Sequence, residues 1–127
     1  MRIGEFAAAA GVTTRTVRHY EQLGLLQPSE RSASGYRYYT DRELARMKKI
    51  GQLQALGLTL EEIATVIDLY FDDPTGVQGK RKVLGILEGH LRETRRRRSD
   101  LERFENELVK SIEKVRRLLA EAERAAG

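Results

Sequence analysis

Apolar residues recur along most of this chain at helical spacing, and the breaks in that spacing mark its elements. Ile3, Phe6, Ala7 and Ala10 share one face at i, i+3, i+4, i+7, and Gly11 stops the run. Val12 follows as a buried turn residue, and Thr13 or Thr14 can cap a second helix through its hydroxyl. That helix is expected to run to about Leu23 and to turn Val17, Tyr20 or Glu21, and Leu23–Leu25 inward, with Gly24 ending it. Residues 26–39, LQPSERSASGYRYY, break the helical spacing. Small turn formers flanked by tyrosines read as a short hairpin with its tip near Ser32–Gly35. Thr40 then opens T-D-R-E, a hydroxyl with a glutamate three residues on, which is the capping-box pattern. It predicts a third helix carrying Leu44, Met47, Ile50 and Leu53 as far as Leu56–Gly57. The same pattern at Thr59–Glu62 opens a fourth, through Ile63, Val66, Ile67 and Tyr70.

Residues 72–79, DDPTGVQG, read as a linker. No proline interrupts Lys80–Ala126, and there Leu84, Leu87, Leu91, Leu101, Leu108, Ile112, Val115, Leu119 and Ala122 keep one a/d heptad register. Thr94, Arg98 and Glu105 are the polar exceptions on that seam. A helix of about 45 residues would be roughly 67 Å long. One apolar stripe on such a rod is expected to pair with a second copy, so the eight residues from Leu84 to Leu119 are the candidate dimerisation seam. The expected division is a head over 1–70, a linker over 71–79 and a dimerisation helix over 80–127.

Charge is unevenly distributed. Residues 1–49 hold nine Lys/Arg against five Asp/Glu, whereas residues 50–79 carry five acids and no Lys/Arg. The basic excess therefore falls before the third helix is half over, on the first two helices, the hairpin and the start of that helix, and fits a polyanionic partner. Cysteine is absent, which removes disulfides, thiolate metal sites and redox thiols. His19 and His90 stand far apart with no clustered acids, so no metal site is expected. No grouping suggests catalysis, and no cofactor is expected either. The N-terminus lacks the apolar core of a signal peptide and no run reaches membrane-spanning length, so a cytoplasmic protein with no membrane partner is expected.

Helix, glycine turn and helix over residues 3–23 form the pattern of a DNA-reading unit. The second helix offers Thr14, Arg15, Thr16, Arg18 and His19 around its N-terminal half, with Tyr20 beside them. Arg and Thr there can reach base edges, or the polar face is simply solvated. In the hairpin, Arg31, Tyr36, Arg37 and Tyr39 can hold phosphates without reading sequence, or the tyrosines cover the core edge. The Arg95–Arg98 run reads as a solvated face paired with Glu88, Glu93, Asp100 and Glu102. A second nucleic-acid contact or an anion site are its other readings.

The string R-H-Y-E-x-x-G-L-L-x-P-x-x-R-x-x-x-G-Y-R-x-Y, from Arg18 to Tyr39, resembles the signature of the MerR family of bacterial transcription regulators. L-G-L-T-L-E-E-I at Leu56–Ile63 resembles the same family's DNA-binding domain. His19 stands where that family usually has tyrosine. The resemblance covers about residues 1–70 and implies a mainly α fold: a winged helix-turn-helix head with a small β-hairpin wing, then a long dimerising antiparallel coiled-coil helix. It implies a second helix in the major groove, a hairpin wing on the backbone, and a second wing from the two helices at about Thr40–Tyr70. It further implies a homodimer on a pseudo-palindromic promoter site that distorts promoter DNA and acts with RNA polymerase. Metal and redox sensors of the family use cysteines, and this chain has none. The aldehyde-responsive subgroup uses a cysteine that aligns near Gln52, and multidrug-binding members append a ligand domain that is not expected here. No effector follows from the residues. Two rival readings are an effector-independent architectural DNA-binding dimer or repressor, and a coiled-coil adaptor whose head binds protein.

Overall fold

The computed structural model describes residues 1–127 apart from Ser29, Ser32 and Ser34 and the side chains of Glu30 and Arg31. The elements are α1 (Ile3–Ala10), α2 (Thr14–Gln22), β1 (Glu30–Arg31), β2 (Arg37–Tyr38), α3 (Asp41–Ala55), α4 (Leu60–Asp72) and α5 (Val77–Ala126). The fold is mainly α, with a winged helix-turn-helix at its N-terminal end and a long C-terminal helix. The chain divides into two compact units, Met1–Leu87 and Glu88–Gly127.

Caps explain most element boundaries in the first unit. Gly11 takes φ 72°, a left-handed conformation without steric cost in glycine, and its N–H closes α1 on the Ala7 and Ala8 carbonyls. Thr13 then caps α2, its hydroxyl accepting from the Thr16 N–H at 3.1 Å. Both expected capping boxes form: the backbone N–H of Thr40 donates to Glu43 at 2.7 Å, and that of Thr59 to Glu62 at 2.9 Å. Phe6, Val17, Leu25, Leu26, Tyr39, Ile50, Leu53, Ile63, Val66 and Ile67 are buried together where α1–α4 meet. Leu23 was expected inside this set but is 40% exposed. The positive φ of Gly24 turns the chain after α2, so Leu25 and Leu26 enter the core instead.

The helix expected from Lys80 begins one turn earlier, at Val77. The Asp73 carboxylate accepts from Thr75 and from the Gln78 N–H at 3.2 Å, and the Thr75 hydroxyl accepts from the Val77 N–H at 3.3 Å. The Thr75 hydroxyl and the Gln78 N–H hold the Asp73 carboxyl below its ordinary range. Gly79 is therefore a helical residue rather than a linker glycine. A Cβ placed on it would lie 2.7 Å from the Tyr70 ring, so its bare backbone lets α4 and α5 approach closely.

The second unit is one stretch of α5. Leu91, Leu101, Leu108, Ile112, Val115 and Leu119 are between 46% and 67% exposed, and Phe104, Val109 and Leu118 are exposed beside them. Arg96 and Arg97 pair with Glu93 at 2.7 and 3.3 Å, and Arg103 pairs with Asp100 at 3.3 Å. Much of the arginine run is thus a solvated face whose charges are partly matched by neighbours one turn away.

Candidate nucleic-acid interface

The short hairpin β1–β2 pairs Glu30 with Tyr38 and Arg31 with Arg37, and Arg2 bridges Tyr38 from the other side. The backbones of Met1 and Tyr39 also exchange hydrogen bonds at 2.7 Å in both directions. The wing is therefore fastened along its β2 edge to the residues that lead into α1. Arg2 lies over the Tyr36 ring with its guanidinium carbon 4.0 Å from the centroid.

Alternation along β2 and the extended chain just after it sends Arg37 and Tyr39 to the same side, and both reach Glu21 on α2. The Tyr39 hydroxyl donates to Glu21 Oε1 at 2.5 Å, and Arg37 pairs with Glu21 Oε2 at 3.2 Å. Tyr39 is fully buried, its ring stacked on Phe6 with centroids 4.4 Å apart. Burial, together with the Glu21 carboxylate it bonds, pushes its hydroxyl up to about 12. Glu21 therefore clamps the wing to the second helix.

The candidate contact residues separate accordingly. Arg15, Arg18 and His19 are exposed on α2, and Thr14 and Thr16 are half-buried there. The Thr16 hydroxyl lies 3.1 Å from that of the capping Thr13. Tyr36 is 51% exposed and Arg37 half-buried. Tyr20 is buried, and its hydroxyl reaches Gln54 of α3 at 3.5 Å, which leaves little of it on the surface. Tyr39 was expected to meet phosphate, yet its burial leaves no surface for DNA; its observed role is to anchor the wing. The Arg31 side chain lies outside the described residues.

Two shallow concave surfaces meet at Arg18. One is lined by Arg15, Thr16, His19 and Gln22 of α2. The other is an open groove between α2 and the wing, to which Arg2, Glu21, Tyr36 and Arg37 contribute. The base-reading and phosphate-holding candidates thus form one continuous surface with four exposed or half-exposed arginines. Arg2 escaped the sequence reading because nothing local signals a stack on a ring thirty-four positions away. Arg46 escaped it too: its Nε donates to the Leu25 carbonyl at 2.5 Å, and it pairs with Asp68 of α4 at 2.8 Å.

Residues 1–69 match the model of the MerR HTH family regulatory protein, and residues 44–110 match that of the MerR DNA-binding region. The chain belongs to the MerR family. It is a DNA-binding transcription regulator of that family, consistent with the geometry of α2 and the wing. It is 33% identical to an uncharacterized HTH-type transcriptional regulator of Pseudomonas aeruginosa over 89% of this chain and 83% of that one. It is 46% identical to the HTH-type transcriptional activator TipA of Streptomyces coelicolor over 57% of this chain, and spans only 28% of TipA. Among solved structures it resembles the transcription regulator PbrR691 from Ralstonia metallidurans, crystallised in complex with lead(II). The TM-score is 0.67 and the identity 32%, over 87% of this chain and 83% of that one. Among the described residues of this MerR regulator no group of three His, Cys, Asp or Glu could hold a metal ion. Among those same described residues no helix is long and apolar enough to cross a membrane.

Proposed function

We propose that this MerR regulator acts as a homodimer on a pseudo-palindromic promoter site and distorts the promoter DNA for RNA polymerase. Residues 1–70 serve as the DNA-binding domain, the turn between α4 and α5 as the linker, and α5 as the dimerisation helix. Arg15 and Arg18 read base edges from α2 in the major groove, with Thr14, Thr16 and His19 beside them. Tyr36, Arg37 and Arg2 hold phosphates along the groove's rim. Leu84, Leu87, Leu91, Leu101, Leu108, Ile112, Val115 and Leu119 form the seam with a second copy.

The observation that carries this reading is the continuity of the α2 surface with the wing through Arg18 and Arg37. A duplex lying there meets reading and holding groups at once. The unpaired apolar stripe of α5 supports the dimer, since a solvated face of leucines at this length is costly in water.

Fluorescence anisotropy with labelled promoter and random duplexes tests the assignment. With several arginine contacts per head, log affinity should fall linearly and steeply with log salt. Arg15→Ala and Arg18→Ala should weaken the specific site more than random DNA, by about 1–3 kcal/mol for a bidentate base contact. Tyr36→Phe and Arg37→Ala should weaken both duplexes about equally. Equal losses for all four variants would remove α2 as the reader, and a flat salt response would remove the docking altogether.

A further inference from the structure

We infer that the α5 seam carries its own register code, in which Arg98 pairs with the partner's Glu105 and flanking charges reject slipped alignments, so that the chain selects a second copy of itself. The inference rests on the dimer proposed above and goes beyond it by fixing where the two helices meet.

The seam runs from Leu84 to Ala122, and its midpoint is Arg103. An antiparallel pair that buries the whole stripe must place its two-fold axis at that midpoint. Each seam residue then faces one whose number mirrors it about 103. Leu84 faces the partner's Ala122, Leu91 the partner's Val115, Arg98 the partner's Leu108 and Leu101 the partner's Glu105. Every a position thereby meets a d position, as two reversed heptad repeats require.

At that register Arg98 and the partner's Glu105 are three residues apart along the axis, about 4.5 Å at the helical rise. The arginine stem can bridge that gap. Both side chains are exposed, and among the described residues neither makes an ion pair within its own chain, unlike Arg96, Arg97 and Arg103. They are left available for the second copy.

Reversing one helix also sets e positions beside e positions and g beside g. With the axis at Arg103, Glu88 falls beside the partner's Arg116 and Arg81 beside the partner's Glu123, opposite charges in both cases. Phe104, exposed and off the a/d seam, falls beside the partner's Phe104 at the axis, which explains an aromatic residue on that flank. A slip of one heptad toward the N-terminus sets Arg116 against the partner's Arg81 and leaves the last seam residues without partners. A slip toward the C-terminus sets Glu123 against the partner's Glu88 and Arg116 against the partner's Arg95. It also parts Arg98 from the partner's Glu105 by about 15 Å. The proposed alignment sets four opposite-charge flank contacts against one like pair, Glu102 beside the partner's Glu102, whereas the N-terminal slip only balances the two kinds, with Arg95 beside the partner's Glu102, and the C-terminal slip carries like pairs alone.

The full chain has no cysteine, so single cysteines report register directly. Glu102 lies beside the partner's Glu102 at the axis. Glu102→Cys should therefore link to its own copy with a short bis-maleimide, whereas Arg95→Cys and Val109→Cys should not link to theirs. The second arm uses Arg98→Glu and Glu105→Arg as separate, differently tagged full-length chains. Each alone sets like charges together, and mixing them restores both pairs. The mixed dimer should be favoured roughly tenfold or more over the random proportion, read by native mass spectrometry. Dimers that form the mixed species only at random, or in which Arg95→Cys or Val109→Cys links as readily as Glu102→Cys, would overturn the register code while leaving the dimer intact. A wild-type chain that stays monomeric at micromolar concentration would instead defeat the dimer on which the inference rests.

Discussion

The contact most open to quantitative attack is the one that fixes the wing to the second helix. Glu21 accepts from the Tyr39 hydroxyl at 2.5 Å and pairs with Arg37 at 3.2 Å. Glu21→Ala strips the acceptor from a hydroxyl that has no access to water, since Tyr39 is fully buried. A buried hydroxyl left without a partner costs about 1–3 kcal/mol. The lost ion pair adds less than about 1 kcal/mol, because the Arg37 side chain is 36% exposed and its charge is screened. The sum is about 1–4 kcal/mol of stability. Tyr39→Phe alone removes one hydrogen bond to a charged acceptor and should cost about 1.5–3 kcal/mol. The two losses share one bond, so they must not add. In the Glu21→Ala background, Tyr39→Phe removes a hydroxyl already stranded and should cost nothing or regain stability.

Urea unfolding followed by helical circular dichroism measures all four corners of this cycle, and the expected coupling is about 1.5–3 kcal/mol. Costs that add to within about 0.5 kcal/mol would show that Tyr39 and Glu21 do not depend on each other, and the clamp would be refuted. The same bond has a pH signature. The folded hydroxyl ionises at about 12 against an ordinary value of 10, because burial and Glu21 disfavour the phenolate. A folded value raised above the unfolded one means that the contribution is complete below about pH 10. It is lost as pH climbs from 10 to 12, by about 3 kcal/mol in all. The difference in stability between wild type and Tyr39→Phe should therefore be constant from pH 7 to 10 and shrink above it. A difference that grows with pH in that window would reverse the sign of the argument.

Two other substitutions test packing at the start of α5 and polarity on its seam. Gly79→Ala should destabilise by about 1–3 kcal/mol despite a better helix propensity, because the new methyl meets the Tyr70 ring at 2.7 Å. The cost should fall when Tyr70 is also Leu, and thermal melting of both variants checks it. Arg98→Leu with Glu105→Leu should give a dimer at least as heat-stable as wild type that nevertheless binds its promoter site less well, through mixed registers. Melting beside promoter titration reads both halves, and unchanged affinity would reduce the two residues to ordinary rim charges.

Helices were legible in the sequence wherever a cap announced them. Thr40 with Glu43 and Thr59 with Glu62 place the starts of α3 and α4 because one local hydrogen-bonding pattern decides each boundary. What was not legible depended on partners remote in sequence. Gly79 looks like its linker neighbours Gly76 and Pro74, and only the Tyr70 ring against its backbone shows why glycine stands inside a helix. The tyrosines at 36, 38 and 39 look alike as letters, yet the first is half exposed and the last fully buried. Period-two alternation carried part of that answer, since it places Arg37 and Tyr39 on one face. It could not say that the face meets Glu21, because that depends on how α2 lies across the wing. Leu23 shows the converse failure: its apolar character suggested burial, and one left-handed glycine after α2 decided otherwise.

The placement of Glu21 also bears on how one surface can both hold and read DNA. A carboxylate beside a phosphate-facing groove opposes binding by simple Coulomb repulsion, so charge alone gives no reason for it to be there. Its position follows from geometry. One side chain of α2 fixes Arg37 of β2 and Tyr39 just after it, which the alternation of the extended chain brings to the same side. With the wing mounted on the reading helix, a phosphate held by Tyr36 or Arg37 stands at a set distance from bases approached by Arg15 and Arg18. Phosphate contacts carry no sequence information of their own, but on a rigid mount they fix the register in which base edges are presented. The Tyr39 ring, stacked on Phe6 of α1, extends the mount into the core, so a shift of the wing must disturb buried aromatic contact before it can misalign the helix. Local repulsion from one partly covered carboxylate is weak beside the entropy of ordering a free hairpin at each encounter, and that imbalance favours keeping the acid where it is.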